Sequence, residues 1–223
     1  MKVLNKDELQ IAEGILQTHL PKSYKVYGFL YGINRNKEST LQVVVDSWPG
    51  FKVIICRPDP KDLTFLMHRC SKKCLQKDKS TTEALHWCIS CICQISATCF
   101  HHLLTDLVNK TWKFGGDEKG YWNIKNLISN FPSCCITDIQ GQLVAWMLVY
   151  NYCALGMLYT LPEHRGKGYA KVLISTMAKK LLSEGYPVYC FIEEENKVSY
   201  SLFKTLGFIE DESYRAAWFE FNF

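Results

Sequence analysis

The residues Thr160-Leu161-Pro162-Glu163-His164-Arg165-Gly166-Lys167-Gly168-Tyr169-Ala170 decide how this chain folds. Before them, Leu155 to Leu161 has the composition of a strand. After them, Val172, Leu173, Met177 and Leu181 recur at helical spacing until Gly185 and Pro187 end the helix. A strand that passes through a glycine-containing loop straight into a helix aims unpaired backbone N–H groups, with the positive end of the helix dipole, at one place. An anion suits that place. Gly166 and Gly168 have no side chain where a pyrophosphate would approach the backbone, and Arg165 and Lys167 add positive charge. On spacing alone, a glycine-rich turn that only connects strand to helix is the alternative.

The flanking segments extend the pattern. Val188 to Ile192 reads as a strand, followed by Asn196 as a helix N-cap and by Gly207 at the helix C-terminal position. Upstream, Trp122 to Ile128 reads as a helix. Cys134 to Thr137 and Leu143 to Tyr150 read as strands joined by a turn at Asp138-Ile139-Gln140-Gly141. Such short connections make neighbours antiparallel. The strands ending near Leu161 and Ile192 are expected to be adjacent and to splay. In the amino-terminal part, Leu9, Ala12, Ile15, Leu16 and Leu20 predict an amphipathic helix over 6–20, stopped by Pro21. Tyr24 to Ile33 and Leu41 to Val45 are rich in β-branched and aromatic residues and predict a hairpin. Trp48-Pro49-Gly50 then turns the chain into a third strand, Phe51 to Cys56. The apolar window Ala84 to Leu104 predicts a buried helix, because His86, Gln94, His101 and His102 interrupt any run long enough to span a bilayer.

Composition excludes several classes. A chain of 223 residues with 48% hydrophobic content can bury a substantial core. The net charge of +4 arises locally between Arg57 and Lys79, which is no footprint for nucleic acid. Eleven cysteines, an odd number, and no recognisable signal segment point to reduced thiols rather than a disulfide framework. The first residues hold acids and no Arg, unlike a cleavable mitochondrial presequence. Cys70, Cys74, Cys88, Cys91 and Cys93, with His86, His101 and His102, raise a zinc-binding module as a rival reading. Their spacing is irregular, and Cys88, Cys91 and Cys99 also fit one apolar helix face, so no metal ligand is assigned. Cys134 and Cys135 point to opposite faces of a strand and cannot share a ligand.

Arg165-x-x-Gly168-x-Ala170 resembles the acyl-CoA loop of the GNAT acyltransferases, and Asn196-x-x-Ser199-x-x-Leu202-Phe203-x-x-x-Gly207-Phe208 resembles the helix that follows it. A narrower likeness appears at both ends of the chain. Leu20 to Gly28, Val44 to Phe51, Val108 to Glu118 and Thr160 to Arg165 are similar to stretches of the glycine N-acyltransferase family. The resemblance implies an α/β (α+β) GNAT fold, with a mixed, largely antiparallel sheet flanked by helices and an amino-terminal α/β half. It implies a shortened amino-terminal region over 1–105 and an acyl-CoA-binding domain over 106–223. The implied reaction moves an acyl group from acyl-CoA, a co-substrate, to the amino group of glycine or another small amino acid. No permanently bound cofactor, nucleic-acid partner or membrane span is expected. A monomer in the mitochondrion, with the cytoplasm as alternative, is expected.

By the same resemblance, Leu161, Arg165, Gly166, Lys167, Gly168, Tyr169, Ala170, Asn196 and Phe203 contact CoA. The family's general-base glutamate falls six positions before Thr160, where this chain has Ala154, and its general-acid tyrosine aligns with Phe203. Glu163 and Glu193 are the substitute carboxylates to consider. The segment Asp62 to Asp106 is shortened and divergent relative to the family. A CoA-binding relative without turnover therefore stands as the alternative to an active transferase.

Overall fold

The computed structural model describes residues 1–37, 39–58, 70–77, 94–96 and 101–218. Helix α1, Lys6–Gln17, starts on a capping box in which the Asn5 side chain accepts from the Glu8 N–H and Glu8 accepts from the Asn5 N–H, each at 3.0 Å. It buries Ala12 and Leu16 against α2, Tyr24–Asn34. A strand was expected over Tyr24 to Ile33. The helix is covered nearly all round, with Tyr24, Tyr27, Gly28, Phe29, Leu30, Tyr31 and Gly32 buried. No polar face therefore marks a helical period, and the aromatic content mimics a strand. Gly28 allows the close approach: a Cβ there would lie 1.9 Å from the Tyr152 carbonyl oxygen.

Strand β2, Leu41–Val45, lies between β1, Lys2–Val3, and β3, Ile54–Pro58, in a small antiparallel sheet. The third strand thus begins later than Phe51. The Asp46 carboxylate shapes the preceding turn by accepting from the N–H groups of Lys52 and Val53, each at 3.0 Å.

The rest of the chain builds a second sheet from β4 (Cys70–Gln76), β5 (Gln94–Ser96), β6 (Ser133–Thr137), β7 (Leu143–Val149), β8 (Leu155–Thr160), β9 (Tyr189–Glu193) and β10 (Ile209–Trp218). Its order is β10-β4-β9-β8-β7-β6-β5, antiparallel except for the parallel pair β8–β9. The mixed, largely antiparallel sheet is as expected. Helices α3 (His101–Thr111), α4 (Glu118–Asn130), α5 (Tyr169–Ser183) and α6 (Lys197–Thr205) complete the chain. Helix α5 packs on β6, β7 and β8 through Leu173, Ile174, Met177 and Leu181, all fully buried. Strand β7 is buried along its whole length, so its sequence shows no alternation.

Two strands come from the amino-terminal half: β4 lies between β10 and β9, and β5 forms the far edge beside β6. The expected division near residue 105 falls inside α3. Within Ala84 to Leu104, where a helix was expected, Gln94–Ser96 is a strand and α3 starts at His101. Its other residues lie outside the described ones, as do Cys88, Cys91, Cys93, Cys99 and His86. Cys74 is buried in β4, and among the described residues no cluster of three or more ligand-type side chains occurs. No helix among them is long and apolar enough to cross a membrane.

Burial pushes the thiols of Cys74, Cys134 and Cys153 from an ordinary 9.0 up to about 12. The unfolded chain ionises these groups first, so their stabilising preference is intact below pH 9 and is lost as pH rises from 9 towards 12. Each thiol contributes a slope of about 1.4 kcal/mol per pH unit, or roughly 4 kcal/mol per unit for three. Urea midpoints are expected to stay level from pH 7 to 8.5 and to fall steeply above pH 9. Cys→Ser or Cys→Ala variants would lose part of that slope.

Candidate active site

Strands β8 and β9 are paired only at Leu155 and Cys190. Beyond that point they diverge and open a cleft of about 290 Å³, within reach of a small ligand. Two features of β8 widen it. Its register with β7 slips by one residue between the Trp146–Tyr159 and Leu148–Gly156 pairs, and Met157 in the slipped segment has φ +49°. Such a bulge takes backbone groups out of the ladder and turns them to the cleft. Gly156 leaves room for a ring: a Cβ there would lie 1.9 Å from a carbon of the Tyr150 ring.

The Tyr150 hydroxyl thereby reaches the cleft wall. Burial pushes its pKa up to about 12, against the pull of the Trp112 indole N–H and the Met157 N–H beside its oxygen. The phenol is therefore neutral at any ordinary pH and acts as a donor. On the opposite side, α6 presents Asn196, Ser199 and Phe203. Asn196 caps this helix by accepting from the Ser199 N–H at 3.0 Å.

Among the described residues lining the cleft, only Lys113, just past α3, and Glu193, at the end of β9, are charged, and Lys113 Nζ lies 2.9 Å from Glu193 Oε2. The other described residues of the wall are aromatic, aliphatic or neutral polar.

The glycine loop follows the open end of β8. Pro162–His164 forms a single 3-10 turn, Arg165 donates from Nε to the Thr160 carbonyl at 3.1 Å, and its guanidinium lies 5.5 Å from the centre of the Tyr159 ring. Tyr159 lines the cleft, so loop and cleft share an edge. Gly166 and Gly168 have φ +76° and +82°, left-handed values that favour glycine, and Gly168 occupies the N-cap of α5. Gly166, Lys167 and Gly168 are exposed, with empty space where a Cβ would stand on either glycine. The loop can accept a ligand from outside.

The expected site residues divide into three groups. Asn196, Phe203 and Glu193 line the cleft. Leu161, Arg165, Gly166, Lys167, Gly168, Tyr169 and Ala170 form the loop at its edge but not its wall. Glu163 is exposed on the 3-10 turn and lies outside the cleft. Ala154 is fully buried away from the cleft, among Tyr24, Phe29, Cys74, Tyr152 and Tyr189. The fold adds Lys113, Tyr150, Gly156 and Met157, which sequence reading did not single out. Lys113 lay within the family-like stretch Val108 to Glu118, which was the available signal. Nothing local distinguishes Tyr150 from the other tyrosines.

Known proteins share this arrangement. Residues 1–75 match the model of the aralkyl acyl-CoA:amino acid N-acyltransferase family, and residues 136–217 match that of FR47-like proteins. Human glycine N-acyltransferase is 25% identical over 269 aligned positions, which cover 87% of this chain and 91% of that protein. The alignment is longer than the 223-residue chain, so the human protein carries residues without a counterpart here. A Drosophila protein of known structure superposes with a TM-score of 0.73 at 14% identity, covering 97% of this chain and 96% of that one. A GNAT-family protein from Novosphingobium aromaticivorans gives 0.57 at 13% identity, covering 89% and 97%. The chain is thus similar to the glycine N-acyltransferases over most of its length, with family matches at both ends and a GNAT fold.

Proposed function

We propose that the protein transfers an acyl group from acyl-CoA to the amino group of glycine or another small amino acid. The observation that carries this reading is the cleft between diverging β8 and β9, which begins beside the glycine loop and has a carboxylate, Glu193, in its wall. In this reading the CoA pyrophosphate meets the N–H groups of the loop from Arg165 to Ala170, and the pantetheine arm lies between the strands. The thioester then reaches the bulge at Met157, where the neutral Tyr150 phenol can donate to its oxygen. Glu193 takes the proton of the amine. Nitrogen attacks the thioester carbon, the C–N bond forms, the C–S bond breaks, solvent takes the second proton from the acylated nitrogen, and the thiolate leaves and is protonated by solvent. Holding both reactants in one cleft supplies several kcal/mol of the rate gain. The enzyme acts as a monomer in this reading, and family resemblance points to the mitochondrion, with the cytoplasm as alternative compartment.

Release of CoA from acetyl-, benzoyl- and longer acyl-CoA, measured against a panel of amino acids, tests the reading. Transfer to at least one amino acid is expected. Binding of CoA without release from any pair would replace the enzyme with a CoA-binding relative. Gly168→Val is expected to weaken CoA binding at least tenfold, because a branched side chain strains φ +82° and crowds the approach to the loop; tenfold corresponds to about 1.4 kcal/mol. Equal affinities in calorimetry would remove the pyrophosphate from this loop.

A further inference from the structure

We propose that the Lys113–Glu193 ion pair is the receptor for the amino-acid substrate, Lys113 taking its carboxylate and Glu193 its ammonium group. The inference rests on the acyl-transfer reading and adds the substrate's recognition to it. A free amino acid carries both charges at neutral pH, separated only by its Cα. A wall able to bind it needs one cation and one carboxylate side by side, with little other charge to misdirect it. The cleft has that pattern: among its described lining residues Lys113 and Glu193 alone are charged, and they stand 2.9 Å apart.

The pair is also easy to open. The Lys113 side chain is 67% exposed on a flexible stem, and exposed ion pairs contribute little to stability, so separating them costs little. Glu193, 25% exposed, is the more sheltered partner and stays in the wall while the lysine swings. An amine without a carboxylate would give Lys113 no new partner and would compete with it for Glu193. The cleft thus selects for an α-amino acid over a simple amine. It also brings the substrate's nitrogen to the group that deprotonates it: the proton passes to a Glu193 oxygen, the freed lone pair forms the C–N bond, and the C–S electrons leave with the thiolate.

Glycine and glycinamide separate this role from a structural one, because they differ in the carboxylate alone. With benzoyl- or acetyl-CoA as donor, Lys113→Gln is expected to raise KM for glycine at least tenfold and to lower KM for glycinamide, whose competitor for Glu193 is gone, with Lys113→Arg recovering part of the loss for glycine. Acyl-CoA affinity by calorimetry should not move. Equal KM changes for both amines, or none, would overturn the receptor. Should the wild type bind acyl-CoA yet transfer to neither amine, calorimetry with glycine on the CoA-bound protein decides: glycine binding lost in Lys113→Gln keeps the receptor and discards the reaction. Absence of glycine binding by the wild type discards both.

Discussion

Replacing Glu193 with Gln is expected to lower kcat at pH 7 by about 10²–10⁴-fold, the usual contribution of a positioned general base. An amino acid's α-amino group is largely protonated at that pH, and only its neutral form attacks a thioester. Among the described residues of the cleft wall Glu193 is the only carboxylate. Gln keeps the size of the side chain and its place at the end of β9 but cannot take a proton. The deficit should shrink as pH rises towards the amine's own pKa, where solvent supplies the free amine, so the variant's rate should climb with pH more steeply than that of the wild type. Loss of the partly exposed contact with Lys113 costs folding at most about 1 kcal/mol, so a catalytic loss of this size cannot come from unfolding. Unchanged kcat with a normal pH profile would transfer the base role to another group, Glu163 being the remaining sequence candidate.

Ala154→Glu is expected to destabilise the protein by about 3 kcal/mol or more, combining overpacking of about 1–3 kcal/mol with a similar cost for an unpaired buried carboxyl. By the family resemblance the general base falls at this position, and the fold encloses it. Ala154 has no exposed surface and is enclosed by Tyr24, Phe29, Cys74, Tyr152 and Tyr189, with its carbonyl accepting from the Tyr150 N–H at 2.9 Å. Burial would raise the new carboxyl's pKa above its unfolded value, so the penalty should be largest at neutral pH, should ease as pH falls from the raised value towards about 4.3, and should lose its ionisation part below that. Thermal melts at pH 7 and pH 4 check both the sign and the direction. A wild-type melting temperature with faster turnover would mean that position 154 faces the cleft.

The contrast between positions 154 and 193 illustrates what could be read locally. Counting back from Thr160 assumes an unbroken strand register, but β8 is preceded by a tight turn in which Cys153 has φ +62° and is followed within two residues by the bulge at Met157. Counting cannot tell which way a side chain faces across such irregularities. Glu193 was in view as a substitute carboxylate just past the expected strand, yet its neighbour Lys113 is 80 residues distant in sequence, and their pairing has no local signature. Tyr150 reaches the cleft only because Gly156, six positions later on the neighbouring strand, lacks a side chain. In the amino-terminal half, the strand-like reading of Tyr24 to Ile33 failed because a helix buried on all sides loses the polar face on which periodicity depends.

The sequence by itself determined the strand–glycine loop–helix unit from Leu155 to Leu181, the capped helix after Asn196 and the hairpin from Cys134 to Tyr150. These depend on short-range rules: glycine at left-handed φ, side chains that cap helix ends, and the length of a turn. Tertiary structure alone decided that β4 is inserted between β9 and β10, that β8 and β9 part beyond Leu155 and Cys190, and that Lys113 and Glu193 meet at the opening. Strand order, divergence and ion pairing across long sequence separations arise from which apolar faces can be buried together, and that is a property of the assembled core rather than of any segment in it.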